Sequence, residues 1–183
     1  MEGVRKKSGY SITPPEMFDV DEVGQTPAEN PSQVKGRTVK EPVNDLLEPA
    51  EKYYMSVEFQ VTEVEGNKAF TKISGLECSS EFVSRLVRPG SDRLDVVTDL
   101  ETGDGEQVRL KLVGATNKNT SSERITQLRN AAEEELRTMV SDTQYQDLME
   151  SVLLNELQEE VMERLEEIYP LRELEVRKAE LQE

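Results

Sequence analysis

The stretch from Val57 to Asp95 constrains the chain most, because within it the spacing of apolar residues switches from strand to helix. Val57, Phe59 and Val61 alternate with Glu58, Gln60 and Thr62. Successive strand side chains point to opposite faces, so this alternation predicts a half-buried strand. Gly66 and Asn67 follow, and both tolerate the positive φ of a tight hairpin turn. The β-rich run Ala69–Ile73 is the expected return strand. Beyond Gly75, Phe82, Val83, Leu86 and Val87 fall on one helical face, with Ser79 or Ser80 placed to cap its start. Pro89 and Gly90 end that helix. Arg85, Arg88 and Arg93 gather around its end.

The flanking segments extend this pattern. Arg5, Lys6 and Lys7 form a basic arm, and Tyr10 and Ile12 mark a first strand that stops at Pro14-Pro15. Residues 24–37 are dense in turn formers, with Asn30-Pro31 as cap and first position of one helical turn. Gly36 feeds a strand at Arg37–Lys40. Leu94–Leu100 and Gln107–Ala115 predict a second hairpin, with Val108, Leu110 and Leu112 on one face, Arg109 and Lys111 on the other, and Asp104-Gly105 as its turn. From Thr120 the spacing is helical. Thr120 with Glu123 reads as a capping box before the stripe Ile125, Leu128, Ala132, Leu136 and Met139. Thr143 with Gln146 reads as a second box before Leu148, Val152, Leu157, Val161, Leu165 and Ile168, and Pro170 ends that helix. Leu171–Lys178 predicts a final strand with Leu174 and Val176 on one face.

Antiparallel strands need closure or cover at their edges. The expected fold is therefore α+β: a small antiparallel β-barrel of about seven strands, two long C-terminal helices and a returning C-terminal strand. The expected segments are a basic arm and first strand (1–13), a barrel core (14–119) and a helical hairpin plus strand (120–183), forming one domain overall.

Composition argues against chemistry. The 183 residues contain no histidine, one cysteine and no tryptophan. General acid–base catalysis near neutral pH most often uses histidine, and Cys78 has none to activate it. One cysteine excludes an internal disulfide and suits a reducing cytosol, and without histidine a structural zinc site is excluded as well. Gly103-Asp104-Gly105 lacks the downstream lysine of a phosphate loop and sits between two strands, so it reads as a hairpin turn. The pairs Glu159–Glu160 and Glu166–Glu167 belong to Asp142–Tyr169, which holds nine acids and one arginine, and read as a solvated helix face rather than as metal ligands. No enzyme, cofactor or metal is expected. The opening residues lack the apolar core of a signal peptide, and no apolar run approaches the roughly 18 residues of a membrane span.

The net charge is −16. It fits a solvating, partly disordered chain, a binder of basic partners, or adaptation to high salt, where screening relieves self-repulsion. The strong periodicities oppose the first for most of the length. The bases nonetheless concentrate at Arg5–Lys7, Arg85–Arg93, Arg109–Lys118, Arg124–Arg129 and Arg172–Lys178. Several of these groups end strands or begin helices, where phosphate contacts are favoured.

Several stretches together resemble the archaeal and eukaryotic small-subunit ribosomal protein family S3Ae (eS1). They are Gly24–Arg37, Phe59–Glu77, Phe82–Asp95, Val108–Thr116 and Ile168–Lys178, in family order and over nearly the whole chain. The opening keeps Lys6, Lys7 and Tyr10 but lacks the family's usual tryptophan, Pro89-Gly90 interrupts its arginine run, and Glu173 stands where a second arginine is common. Such losses fit high-salt adaptation, in which acids replace dispensable surface bases. The resemblance implies a β-barrel with C-terminal helices on the small-subunit platform near the mRNA exit. Its implied partners are small-subunit ribosomal RNA and neighbouring ribosomal proteins of the uS11 type, with no catalytic residue, cofactor, membrane or small-molecule substrate. The retained bases are then the expected RNA contacts: Lys6, Lys7, Arg37, Arg85, Arg88, Arg93, Lys111, Lys118, Arg172, Arg177 and Lys178. The alternative reading is a free acidic adaptor that binds a basic partner through the Asp142–Tyr169 helix.

Overall fold

A computed structural model describes residues 6–48 and 52–182. The chain divides into two compact units, Met1–Ser74 and Gly75–Glu183. Strand β5 crosses the division.

The first unit contains β1 (Ser8–Thr13), β2 (Gly24–Ala28), β3 (Thr38–Pro42), β4 (Met55–Glu65) and most of β5 (Lys68–Cys78), with short 3-10 turns at Pro31–Gln33 and Val43–Asp45. The expected alternation holds: Met55, Val57, Phe59 and Val61 are buried and their neighbours face outward. Phe18 meets Phe59 edge-on with ring centroids 5.2 Å apart. Tyr10, Ala28, Val34, Val61 and Ala69 form a second apolar cluster. In the β4–β5 turn Gly66 alone takes positive φ (61°) and Asn67 does not. That is the glycine-first requirement of a II′ turn rather than the two positive residues of I′. Strand β2 lies where the sequence suggested only loop. It contains Pro27 and forms an edge, one of the few sheet positions that spare a proline N–H.

The second unit contains the end of β5, α1 (Ser80–Leu86), β6 (Arg93–Glu101), β7 (Gln107–Thr116), α2 (Ser122–Ser141), α3 (Tyr145–Leu153), α4 (Glu156–Glu166) and β8 (Leu171–Gln182). Its strands run in the order β5-β8-β7-β6, all antiparallel. Leu128, Ala132, Leu136 and Val140 are the buried stripe of α2, and Ile125 and Met139 are only half-buried.

Three expectations are corrected. The strand order is β2-β1-β5-β4-β3 in the first unit and β5-β8-β7-β6 in the second, with no closing pair among the described strands of either, so the fold is α+β without a closed barrel. The sheet is also not wholly antiparallel, because β1 pairs parallel with β5. The second long helix is two helices. Asn155 takes left-handed φ (66°) between α3 and α4. The physical reason is already in the apolar stripe, which steps five residues from Val152 to Leu157. In one continuous helix that step would swing Leu157 well away from the face of Val152.

The caps differ too. Ser79 Oγ accepts from Phe82 N (3.2 Å), as expected for α1. Ser121, not Thr120, caps α2 by accepting from Arg124 N (3.2 Å). Thr143 does not cap α3; its hydroxyl donates back to Met139 O (2.7 Å). The N–H of Tyr145 instead donates to Asp104 Oδ1 (3.0 Å), supplied by the distant β6–β7 turn. Asp104 also accepts from the Thr102 hydroxyl (2.6 Å). Those two bonds, the hydroxyl first, hold its carboxyl below the usual aspartate range.

At the helix break, Gln158 Nε2 donates to Val152 O (3.0 Å) and to buried Glu175 Oε1 (2.8 Å). No helix among the described residues is long and apolar enough to cross a membrane.

Candidate nucleic-acid interface

The eleven expected contacts are built in three different ways. Lys6, Lys7 and Arg37 belong to the first unit, and the other eight to the second.

Arg37 and Arg172 are structural clamps. Arg37 donates to Pro27 O (2.9 Å) and to the Thr26 hydroxyl, tying the residue before β3 to β2. Arg172 donates to Leu86 O (2.7 Å) and to Ser91 Oγ (3.1 Å). It thereby fastens the start of β8 to the end of α1 and to the loop that carries Arg88.

Arg85, Arg93 and Lys178 are committed to carboxylates. Arg85 pairs with Glu81 one helical turn earlier (2.7 Å), Arg93 grips Asp95 through two nitrogens (2.8 and 3.1 Å), and Lys178 reaches Glu180 (2.5 Å). These pairs are wholly or partly solvated, so each contributes little stability and is readily exchanged for another anion.

Lys6, Lys7, Arg88, Lys111, Lys118 and Arg177 make no side-chain ion pair among the described residues. The first three and Lys118 are exposed. Lys111 and Lys178 stand opposite one another across β7 and β8, in the same rung as Val97 and Glu77.

Arg177 is different. Lys111 pairs with Lys178 but Leu112 pairs with Val176, so Arg177 is the extra residue of a β-bulge. A bulge re-aims the side chain it carries. The Nε of Arg177 is buried and has no hydrogen-bond partner. A buried donor left in that state costs about 1–3 kcal/mol. Arg177 is one of the residues lining a cleft of about 300 Å³ beside α1 and β8, together with Glu77, Cys78, Ser80, Val83, Ser84, Arg93 and Lys178. Cys78 is buried there and its thiol donates to Val176 O (3.3 Å).

The fold thus brings Arg93, Arg177 and Lys178 into one cleft, sets Lys111 beside them in the ladder, and clamps Arg172 under the Arg88 loop. Three further arginines are engaged within the protein. Arg109 binds Asp99 through two nitrogens (2.7 and 3.1 Å), which lowers the Asp99 pKa and raises that of Arg109. Arg124 donates to Ile168 O (2.6 Å) and lies over the Tyr169 ring, and Arg129 donates to Asp95 O (2.9 Å). Sequence reasoning missed the cleft itself, whose serines come from α1. One signal for its bulge is readable, since the buried residues Leu174, Val176 and Ala179 break step after Val176. Among the described residues no group of three or more cysteines or acids is placed to hold a metal ion.

The sequence model of the Ribosomal S3Ae family matches residues 1–183. A small ribosomal subunit protein eS1 of Methanopyrus kandleri is 31% identical over 98% of this chain and 87% of its own length. The eS1 protein of Sulfurisphaera tokodaii is 30% identical over 96% of this chain and 91% of its own. That of Haloarcula marismortui is 28% identical over 97% of this chain and 83% of its own.

Proposed function

Because the chain belongs to the Ribosomal S3Ae family, we propose that it is a structural constituent of the small ribosomal subunit, located with ribosomes in the cytoplasm. The observation that carries this reading is coverage. The match runs from the first residue to the last, and relatives named as small ribosomal subunit proteins align over nearly all of both chains. The role is scaffolding rather than catalysis. In this reading the bases outside the structural clamps meet ribosomal RNA phosphates, and acidic helix faces stay in solvent or meet basic protein neighbours. Partners of the uS11 type on the platform, near the mRNA exit, belong to the same proposal. So does high-salt adaptation as the reason for a charge of −16. The free-adaptor alternative has no observation in its favour.

Sedimentation tests the assignment. Tagged protein, in a lysate kept at native ionic strength with magnesium, is expected to track the small-subunit and monosome peaks and to move to lighter fractions when magnesium is removed. Protein that stays at the top of the gradient under both conditions overturns the reading. Within it, replacing Arg85, Arg88 and Arg93 together by Ala is expected to weaken incorporation without unfolding the chain. Arg85 and Arg93 make exposed pairs and Arg88 makes none, so little stability depends on them. Unchanged incorporation at native salt would remove these three from the contact set.

A further inference from the structure

We propose that the cleft between α1 and the bulge of β8 is a seat for a single RNA phosphate, with Arg177 as its principal ligand. This rests on the ribosomal reading and narrows it from a scattered set of bases to one built subsite.

Four observations converge. Arg177 is the extra residue of a bulge, so its side chain is released from the ladder's alternation and aimed by local geometry. Its Nε is buried without a partner, although nearly all buried donors in folded proteins have one. Its neighbours in the lining, Arg93 and Lys178, add two more positive groups, while Glu77 is the single acid and stands opposite Lys178 in the β5–β8 register. Arg93 and Lys178 are each held by a partly exposed carboxylate, Asp95 and Glu180, which an incoming phosphate displaces at little expense. The bulge thus leaves a preformed guanidinium free while its two neighbours wait in exchangeable pairs.

The ligand chemistry follows from the lining. A guanidinium presents parallel N–H groups that match two oxygens of a phosphate, which an ammonium does not. Ser80 and Ser84 place hydroxyls at the α1 wall. The lining contains no aromatic ring, so it offers nothing on which a base stacks. The volume, about 300 Å³, lies at the lower end of ligand sites and suits a phosphate group with its water. A tetrahedral oxyanion is therefore the class. Its source is the phosphodiester backbone of RNA, since a subunit protein meets RNA phosphates at far higher local density than free phosphate.

Phosphate ethylation by ethylnitrosourea decides the matter, because it reports each backbone phosphate separately. Small subunits are isolated from cells carrying the wild-type chain, Arg177→Gln or Arg177→Lys. Wild-type subunits are expected to protect one phosphate that Arg177→Gln subunits expose to the level of protein-free RNA, with Arg177→Lys intermediate because it keeps charge but loses the fork. Should Arg177→Gln fail to enter subunits, Ser80→Glu, which sets a carboxylate at the exposed cleft wall, is expected to remove the same protection. Protection identical in wild type and in the variants that assemble overturns the seat while leaving the ribosomal role intact. Wild-type protein absent from the subunit defeats the ribosomal reading itself, and the seat with it. Inorganic phosphate titrated into the isolated full-length chain separates the two sources. A saturable shift of the Arg177 Nε–Hε resonance at millimolar phosphate, together with no RNA phosphate protected in subunits, would assign the cleft to free anion and overturn the RNA proposal.

Discussion

The start and the middle of β8 use the same residue type for opposite purposes. At its start, Arg172 spends its guanidinium on Leu86 O and Ser91 Oγ, and so locks strand to helix. Five residues on, Arg177 sits in a bulge with its buried Nε unmatched. The surroundings differ in the same sense. Near the start, Thr116 Oγ1 accepts from Asp92 N (2.8 Å), Asn117 N donates to Pro170 O (3.0 Å), and Gly114 lies tight against β8. Toward the far end, the solvated pair Asp99–Arg109 and the part-buried pair Lys178–Glu180 predominate. Arg172, bound to a main-chain carbonyl and a hydroxyl, serves the fold, whereas Arg177, which the ladder does not pair, is the arginine proposed above to take a ligand. Residue type and position in the sequence do not separate the two cases; hydrogen-bond partners do.

The largest expected effect breaks the near end. Arg172→Ala removes two hydrogen bonds from a charged donor and leaves Leu86 O short of a partner. A loss of about 3 kcal/mol is expected, read as a lower denaturant midpoint at unchanged slope. Arg177→Gln removes no hydrogen bond in the protein and is expected to leave the midpoint unchanged or raised. Equal losses in the two variants would erase the distinction.

A smaller effect sharpens the same contrast. A Cβ on Gly114 would lie 3.1 Å from Glu173 O and 3.1 Å from Leu174 Cδ1. The leucine methyl yields by rotation, but the carbonyl belongs to the β7–β8 ladder and does not. Gly114→Ala is expected to cost about 1–2 kcal/mol, by overpacking. Amide exchange should quicken around Leu112–Thr116 and Leu171–Val176 before it does at Gln107–Arg109. Uniform quickening would mean that the two ends open together.

These contrasts set what was legible in the sequence. The β4–β5 hairpin was, because Val57, Phe59 and Val61 report their burial at every second residue and Gly66 reports the turn. The β6–β7 hairpin and its Asp104-Gly105 turn were legible for the same reason. The helix break was half legible, present as the five-residue step from Val152 to Leu157 but masked by a strong stripe on either side. Asp104 as the cap of α3 was not legible, since a residue 41 positions away displaced the local Thr143 candidate. Closure was misjudged because alternation specifies the buried face of a strand and says nothing about which distant edge it pairs with. The basic residues were found by type, but type did not reveal that Arg37 and Arg172 donate within the fold to Pro27 O and Leu86 O.

The smallest expected effect concerns that displaced cap, at the far end of the sheet. Asp104 accepts from the Thr102 hydroxyl and from Tyr145 N, and both bonds favour its ionised form. Its folded pKa therefore lies below that of an unfolded aspartate, near 3.9. Over the interval between the two values the unfolded chain binds more protons, so stability rises with pH there. The contribution is fully present above about pH 4 to 5 and is lost as pH falls through the folded value. Asp104→Asn keeps an acceptor for both donors but has no charge to titrate. Its stability is expected to fall slightly below wild type near neutrality, with the gap closing in acid. Asp99 and Glu180, also held low by their basic partners, titrate in the same direction in both proteins and cancel from the difference. Denaturant midpoints at intervals from pH 7 to 3 give that difference directly. A gap that stays constant with pH would mean that α3 is held by the geometry of the Asp104 cap alone, and that the charge contributes nothing to tying the helix to the sheet.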